Sequence, residues 1–283
     1  MISSGAPEGM EPPAAGAAAA DIRLAWGSAT DRGLRRELNE DAFIAADPLF
    51  AVADGMGGHE AGEVASRECI QVLGTAAELA PGTRHATAAD LLRAVREADA
   101  RIRAKANSRA GTTVSGVVLT EAAGVAQWLV FNVGDSRTYR LGAGGLAQVS
   151  IDHSEVQELV DAGYITPDEA LVHPRRHVIT RALGTGGDSD PDFWTMPVHA
   201  GDRILVCSDG LTGEVGDGQI GRILASVHDP QDAAEALVAA AVAAGGRDNI
   251  TVIVVDAATT PAAGDGPDHP PTAEATNGGS AHA

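Results

Sequence analysis

The chain has 283 residues, enough for one large domain or two small ones. It carries 39 acidic against 20 basic residues, a net charge of −19, and Lys105 is its single lysine. Such a surface excludes nucleic acid and anionic membranes as natural partners, since both need clustered Lys and Arg; nor does any stretch reach the ~18 uninterrupted apolar residues of a membrane span.

Residues 1–20 are Ala/Gly/Pro-rich without periodicity, and those from 258 to 283 contain almost no large apolar group. Neither segment can bury enough surface to offset the entropy of ordering it, so both are expected to be disordered around a folded unit at 21–257. The first segment has no positive charge ahead of its apolar part, unlike a secretory signal. Two cysteines, Cys69 and Cys207, cannot build a disulfide framework, and Cys207 sits in an apolar run as a small hydrophobe. These features together point to the cytoplasm.

Within the folded part, β-rich runs occur at 22–28, 42–46, 49–53, 113–119, 126–133, 137–141, 194–198, 203–207 and 250–256. The last is apolar almost throughout, which implies burial on both faces. Helical stretches are fewer. One runs from about Gly58 to Leu73. A second opens with Thr87 and Asp90 in a capping-box pattern ahead of the stripe Leu91, Val95, Ala98 and Ile102. A third starts at Asp229-Pro230, with Pro at the first helical position, and continues through Ala233, Leu237, Ala240 and Ala244. Most strands follow one another without a helix between them, so a Rossmann-like alternation is disfavoured. The expected fold is α+β, two packed, mostly antiparallel sheets flanked by helices.

Four acidic stretches stand at strand ends or turns: Asn39-Glu40-Asp41, Asp54-Gly55 after Ala51-Val52-Ala53, Asp209-Gly210 after Leu205-Val206-Cys207, and Asp248-Asn249 before the most apolar strand. A single aspartate there would be read as a turn or helix cap. Several meeting at one sheet end need a cation, because a buried charge without a partner is costly. These clusters offer oxygen only, which suits Mg²⁺ or Mn²⁺ rather than zinc. The glycines after Asp54 and Asp209 let backbone approach closely, so a carbonyl can join the ligands. Two such ions can bind a bridging hydroxide and stabilise in-line displacement at phosphorus. With no GxxxxGK[ST] loop and no Asp-x-Asp nucleophile after a strand, hydrolysis by activated water is the reaction left.

The ordered set Thr30-Asp31-Arg32-Gly33, Arg36, Asn39-Glu40-Asp41, DGMGGH at 54–59, GTT at 111–113, VGDSR at 133–137, DHS at 152–154, HPRRHVITRALG at 173–184, GDRILVCSDGLT at 201–212 and RDNIT at 247–251 resembles the bacterial type 2C metal-dependent serine/threonine protein phosphatases over roughly residues 22–256. Each motif alone is weak; their order and spacing are specific. The resemblance implies an α-β-β-α sandwich and direct attack on phosphoserine or phosphothreonine by hydroxide bridging two ions, Mn²⁺ or Mg²⁺. It implies that Asp54 bridges both ions, that Gly55 offers its carbonyl, and that Asp209 and Asp248 serve the first ion. Glu40 and Asp41 would bind ions directly or through water, Arg36 would grip the substrate phosphate, and Asp135 with Asp209 would hold a third, weaker ion. Residues 153–190 resemble the flap beside the active site, with a turn at Ile165–Glu169. Partners implied are phosphorylated proteins, including serine/threonine kinases and their targets. The alternatives are a phosphatase dedicated to a phosphoserine anti-anti-sigma regulator and a silent phosphoprotein-binding relative; the intact ligand set argues against the latter.

Some positions are ambiguous. Met56 stands where many eukaryotic relatives carry a candidate acid histidine, and His59 follows three residues on. His59 can donate a proton to the leaving alkoxide, hold a water that does, or cap the turn. His153, His173 and His177 offer a zinc set only as a minor alternative, because they lie in a region expected to be mobile, and His177 replaces the asparagine usual in relatives. Thr112, Thr113, Ser136 and Arg137 are read as structural.

Overall fold

The computed structural model describes residues 21–57, 61–106 and 110–259. The expected disordered segments, apart from residues 258 and 259, and His59 lie outside the described residues. In chain order come β1 (Ile22–Asp31), β2 (Asp41–Ala46), β3 (Leu49–Gly57), α1 (Ala61–Thr75) and α2 (Ala88–Ala106). The middle holds β4 (Ala110–Thr112), β5 (Val114–Ala122), β6 (Val125–Val133), β7 (Arg137–Gly142), β8 (Gly145–Gln148), α3 (Glu155–Asp161) and α4 (Pro167–Leu171). The last part contains β9 (Asp192–Pro197), β10 (Arg203–Cys207), α5 (Asp209–Thr212), α6 (Asp217–Ser226), α7 (Pro230–Ala244) and β11 (Ile250–Thr259).

Two sheets form, in the orders β1-β11-β10-β7-β8 and β2-β3-β5-β6-β9, with β4 pairing β3 and every named pairing antiparallel. Period-2 alternation sorts the side chains of each strand between two apolar layers. On β3, Phe50 and Val52 face the other sheet, while Leu49, Ala51 and Ala53 face α1 and α2. On β11, Ile253 and Val255 fill the inter-sheet layer, and Val252 and Val254 pack under α6 and α7. The near-continuous apolar run is therefore buried on both faces, as expected. The layers are α-β-β-α.

Helix starts follow their local chemistry. The Thr87 amide and hydroxyl bond Asp90 Oδ2 at 2.8 and 2.7 Å, and the Asp90 amide returns a bond to Thr87 Oγ1 at 3.3 Å. Asp229 caps α7 by accepting from the Gln231 and Asp232 amides. The Ile165–Glu169 segment, expected as a turn, instead opens α4, because Thr166 and Glu169 form a complete capping box with Pro167 at the first position. β11 runs two residues past the expected boundary, since Ala258 and Thr259 pair with Arg23 and Ile22. Both cysteines are buried and free.

Candidate active site

Antiparallel pairing carries the acidic stretches to one end of the sandwich. Asp41 at the start of β2 lies directly opposite Asp54 near the end of β3. Like charges at such a cross-strand pair repel. In the other sheet, Cys207 of β10 is level with Arg137 of β7 and Val252 of β11. That register places Asp209, just after β10, beside Asp135, just before β7, and Asp248, just before β11. A cavity of about 500 Å³ opens there, walled by Arg36, Glu40, Asp54, Asp135, Asp209 and Asp248, with Arg176, His177 and Ile179 of the flap region and Arg247 at its rim. Asp41 does not line it.

Backbone and hydroxyl groups fix these carboxylates. The Asp54 carbonyl accepts from the Thr113 amide at 2.9 Å and the Thr112 hydroxyl at 2.8 Å, and its amide donates to Thr113 Oγ1 at 3.2 Å. Thr113 Oγ1 pairs across the sheets with Ser136 Oγ at 2.8 Å. Ser208 Oγ accepts from the Thr251 amide at 2.9 Å, which leaves its own proton to be donated to Asp41 Oδ2 at 2.9 Å. Asn249 closes the loop before β2: its Oδ1 accepts from the Glu40 amide at 2.8 Å, and its Nδ2 donates to the Arg32 and Leu38 carbonyls. Thr112 and Thr113 are structural in the sense that they hold Asp54. Ser66 Oγ donates to the Glu40 carbonyl at 2.5 Å; Ser66, Ser208 and Asn249 had no role assigned from the sequence. The polar Asn-Ile-Thr entry into an apolar strand was the available signal for Asn249.

The glycines of the two Asp-Gly pairs make room for protein backbone. A Cβ on Gly55 would collide with the Gly62 carbonyl at the start of α1, and one on Gly210 with the Asn249 carbonyl. Arg36 is half exposed and donates to Asp248 Oδ2 at 2.7 Å, with Glu40 Oε2 at 3.9 Å. Arg137, expected to serve the turn, instead grips Asp152 with three hydrogen bonds of 2.7–3.0 Å. His153, His173 and His177 do not converge: the first binds Gly134 and Asp192, and the second accepts from the Arg175 amide.

Electrostatically the cluster is unbalanced. Burial pushes Asp41 up to about 7, with Asp209 and Asp248 adding repulsion. Burial also raises Asp54 and Asp135 well above the ordinary carboxylate range, reinforced by neighbouring aspartates. Asp209 is raised by burial and by Asp248, against a hydrogen bond with Asp54. Among the described residues, four buried acceptors are without a hydrogen-bond partner: the carboxylate oxygens Glu40 Oε1, Asp41 Oδ1 and Asp209 Oδ1, and the amide oxygen Asn132 Oδ1. An acceptor-only group left so costs about 1–3 kcal/mol or more when charged. No three acidic or histidine side chains of the described residues are closed around one point as a finished ligand set. Orphaned oxygen donors that raise one another's pKa nevertheless fit hard divalent cations, with a carbonyl and water completing the coordination.

Comparison with known proteins agrees with this geometry. The family description "Protein phosphatase 2C" matches residues 34–250. The chain is 42% identical over 235 residues to the serine/threonine protein phosphatase PstP of Mycobacterium tuberculosis, covering 82% of this chain and 45% of that one. It thus spans about half the length of that relative. Against the serine/threonine phosphatase stp of Listeria innocua it is 37% identical, covering 80% of this chain and 93% of the other. Among solved structures, the catalytic domain of PstP in complex with two manganese ions superposes with a TM-score of 0.74 at 37% identity, covering 84% of this chain and 99% of that one. The phosphatase MsPP of Mycobacterium smegmatis, in complex with cacodylate, gives 0.73 at 40% identity over 82% and 97% of the two chains.

Proposed function

The chain belongs to the protein phosphatase 2C family, and we propose that it hydrolyses phosphoserine and phosphothreonine esters in proteins. The observation that carries this reading is the set of buried, mutually repelling carboxylates with orphaned oxygens beneath an arginine. Asp54, the Gly55 carbonyl, Asp209 and Asp248 would hold two divalent cations, Mn²⁺ or Mg²⁺, which would supply the Lewis acidity and lowered water pKa that phosphoester hydrolysis needs. Glu40 and Asp41 would act on the same ions, directly or through water, and Asp135 with Asp209 would hold a third, weaker one. Support for the pair comes from the relative solved with two manganese ions.

The remaining roles belong to side chains alone. Arg36 presents a planar, bidentate donor toward the cavity and orients the phosphate by two of its oxygens. Its present partner, Asp248, keeps the guanidinium at the cavity wall. The Thr113–Ser136 pair holds the Asp54 backbone, so the carboxylate would meet the cations without rearrangement. His59 is proposed to assist the leaving alkoxide. Phosphorylated proteins, serine/threonine kinases and their targets among them, are the proposed substrates, in the cytoplasm; no helix of the described residues is long and apolar enough to cross a membrane.

Hydrolysis of p-nitrophenyl phosphate and of a phosphothreonine peptide with Mn²⁺, before and after chelation, tests this reading. Turnover of both is expected, lost in EDTA and restored by Mn²⁺. Binding of Mn²⁺ with turnover of neither would make the chain a silent phosphoprotein-binding relative instead.

A further inference from the structure

Ser150, Asp152, His153 and Ser154 are polar residues that are each at most 8% exposed. His153 lies where three segments cross. Its amide donates to the Gly134 carbonyl at 2.9 Å, and its carbonyl accepts from the Thr180 amide at 2.8 Å. The ring repeats the connection: the Gly134 amide donates to Nδ1 at 3.1 Å, and Nε2 stands 3.1 Å from Asp192 Oδ2. A backbone amide can only donate. Nδ1 is therefore the bare nitrogen, and Nε2 carries the proton that it donates to the carboxylate. Arg181 Nη1 donates to the other oxygen of Asp192 at 3.2 Å. Burial holds the ring below the usual imidazole range, with Arg181 acting in the same sense against Asp192, which favours the neutral form that Gly134 requires.

The three segments matter to the cavity. Gly134 immediately precedes Asp135. Ser154 and Ile179 pair as an antiparallel bridge at the base of the flap, and Ile179 lines the cavity together with His177. Asp192 opens β9, where the chain leaves the flap. One imidazole thus ties the Asp135 turn to both roots of the flap.

We infer that His153 is a positioning residue: through Nδ1 toward Gly134 and Nε2 toward Asp192, it sets where the Asp135 carboxylate stands relative to the flap wall carrying His177 and Ile179. It touches neither substrate nor cation. The two halves of this clamp are separable, because an asparagine oxygen occupies the place of Nδ1 and a glutamine amide reaches the place of Nε2. His153→Asn keeps the acceptor for Gly134. His153→Gln keeps only the donor to Asp192, and His153→Ala keeps neither.

The test uses the full chain. In the cation-free protein, the Gly134 amide should be protected from hydrogen exchange in the wild type and in His153→Asn, and should exchange about tenfold or more faster in the other two variants. Nitrogen shifts of the wild-type ring should show the Nε2-protonated tautomer. The activity arm rests on the phosphatase reading. With saturating Mn²⁺ and a phosphothreonine peptide, His153→Asn should keep kcat within about threefold, while His153→Gln and His153→Ala lose about tenfold or more in kcat at unchanged KM. Equal losses in His153→Asn and His153→Gln, full activity in His153→Ala, or an Nδ1-protonated ring would overturn the positioning role. A wild type that turns over no phosphoester would instead sink the phosphatase reading, and the exchange and tautomer measurements would still decide the clamp.

Discussion

The layer between the two sheets has two ends built on opposite terms. Away from the cavity it is apolar, filled by Phe50, Val117, Leu119, Trp128, Val130, Ile204 and Val255. Toward the cavity the sheets are joined by hydroxyl pairs, Thr113 with Ser136 at 2.8 Å and Ser115 with Thr138 at 2.9 Å, and by Ser208 reaching Asp41. The apolar end is satisfied by packing, with the Trp128 indole N–H donating to Asp202 Oδ2 at 3.2 Å at its margin. At the polar end almost every buried donor has a partner, yet Glu40, Asp41, Asp209 and Asn132, beside the Gly134 turn, each retain a buried oxygen without one. Buried polar atoms are ordinarily paired, so unpaired ones gathered at a single end mark where the fold has given up stability for a function. The difference teaches that one end holds the sandwich together and the other holds charges apart at fixed places.

Substitutions at the two ends should therefore have opposite signatures. Phe50→Ala, at the apolar end, should cost about 3–5 kcal/mol of unfolding free energy and leave kcat unchanged below the melting transition. Asp209→Asn, at the polar end, should lower turnover by about a hundredfold or more while raising the stability of the cation-free protein, because one buried repelling charge is gone. A stability loss in that variant, measured by chemical denaturation in EDTA, would contradict the repulsion. Thr113→Val should fall between them. It leaves the Asp54 amide and Ser136 without a partner, which costs about 1–3 kcal/mol and should lower turnover about tenfold. Equal turnover in Thr113→Val and wild type would show that Asp54 does not depend on this support.

The smallest effect concerns pH. Asp41, Asp54, Asp135 and Asp209 are raised in the fold, first of all by burial. A carboxyl raised above its unfolded value of about 3.9 stabilises the fold below that pH and ceases to as pH climbs through its folded value. Between pH 4 and about 7, where Asp41 titrates, cation-free protein should thus lose stability relative to protein in Mn²⁺. Each kcal/mol of that difference should appear as about 2–4 °C in Tm. Parallel Tm curves in EDTA and Mn²⁺ would deny the coupling.

Much of this was readable from the residues. Strands buried on both faces, such as β11, announce themselves as apolar runs, and the Asp-Gly turns after β3 and β10 mark where acidic groups gather. β4 and β8 were not readable: one is the three-residue Ala-Gly-Thr, and the other is mostly exposed and lacks an apolar alternation. α6 offers only Ile220 and Leu224 as a buried pair, too short a stripe to stand out. α4 was missed although Thr166 and Glu169 carry the same capping signal that located α2. Thr113 and Ser136 read as structural, but the pairing of the positioning hydroxyls across the sheets escaped for another reason. Thr113 and Ser136 are 23 residues apart, as are Ser115 and Thr138, and a threonine in a strand looks the same whether it faces water or a partner sheet. His153 likewise read as a weak zinc candidate, since its partners Gly134 and Asp192 adjoin it only in the folded chain.

Calorimetric titration of the cation-free chain with Mn²⁺ near pH 6.5, repeated in buffers of different ionisation enthalpy, tests the carboxylate cage most directly. Because burial pushes Asp41 up to about 7 and also raises Asp54, cation binding should expel about one proton or more per chain. Two tightly bound ions, with proton release diminished in Asp209→Asn, are the expected result. Binding of no Mn²⁺, or of two ions without any proton release, would contradict the claim that these carboxylates form a charge cluster awaiting cations.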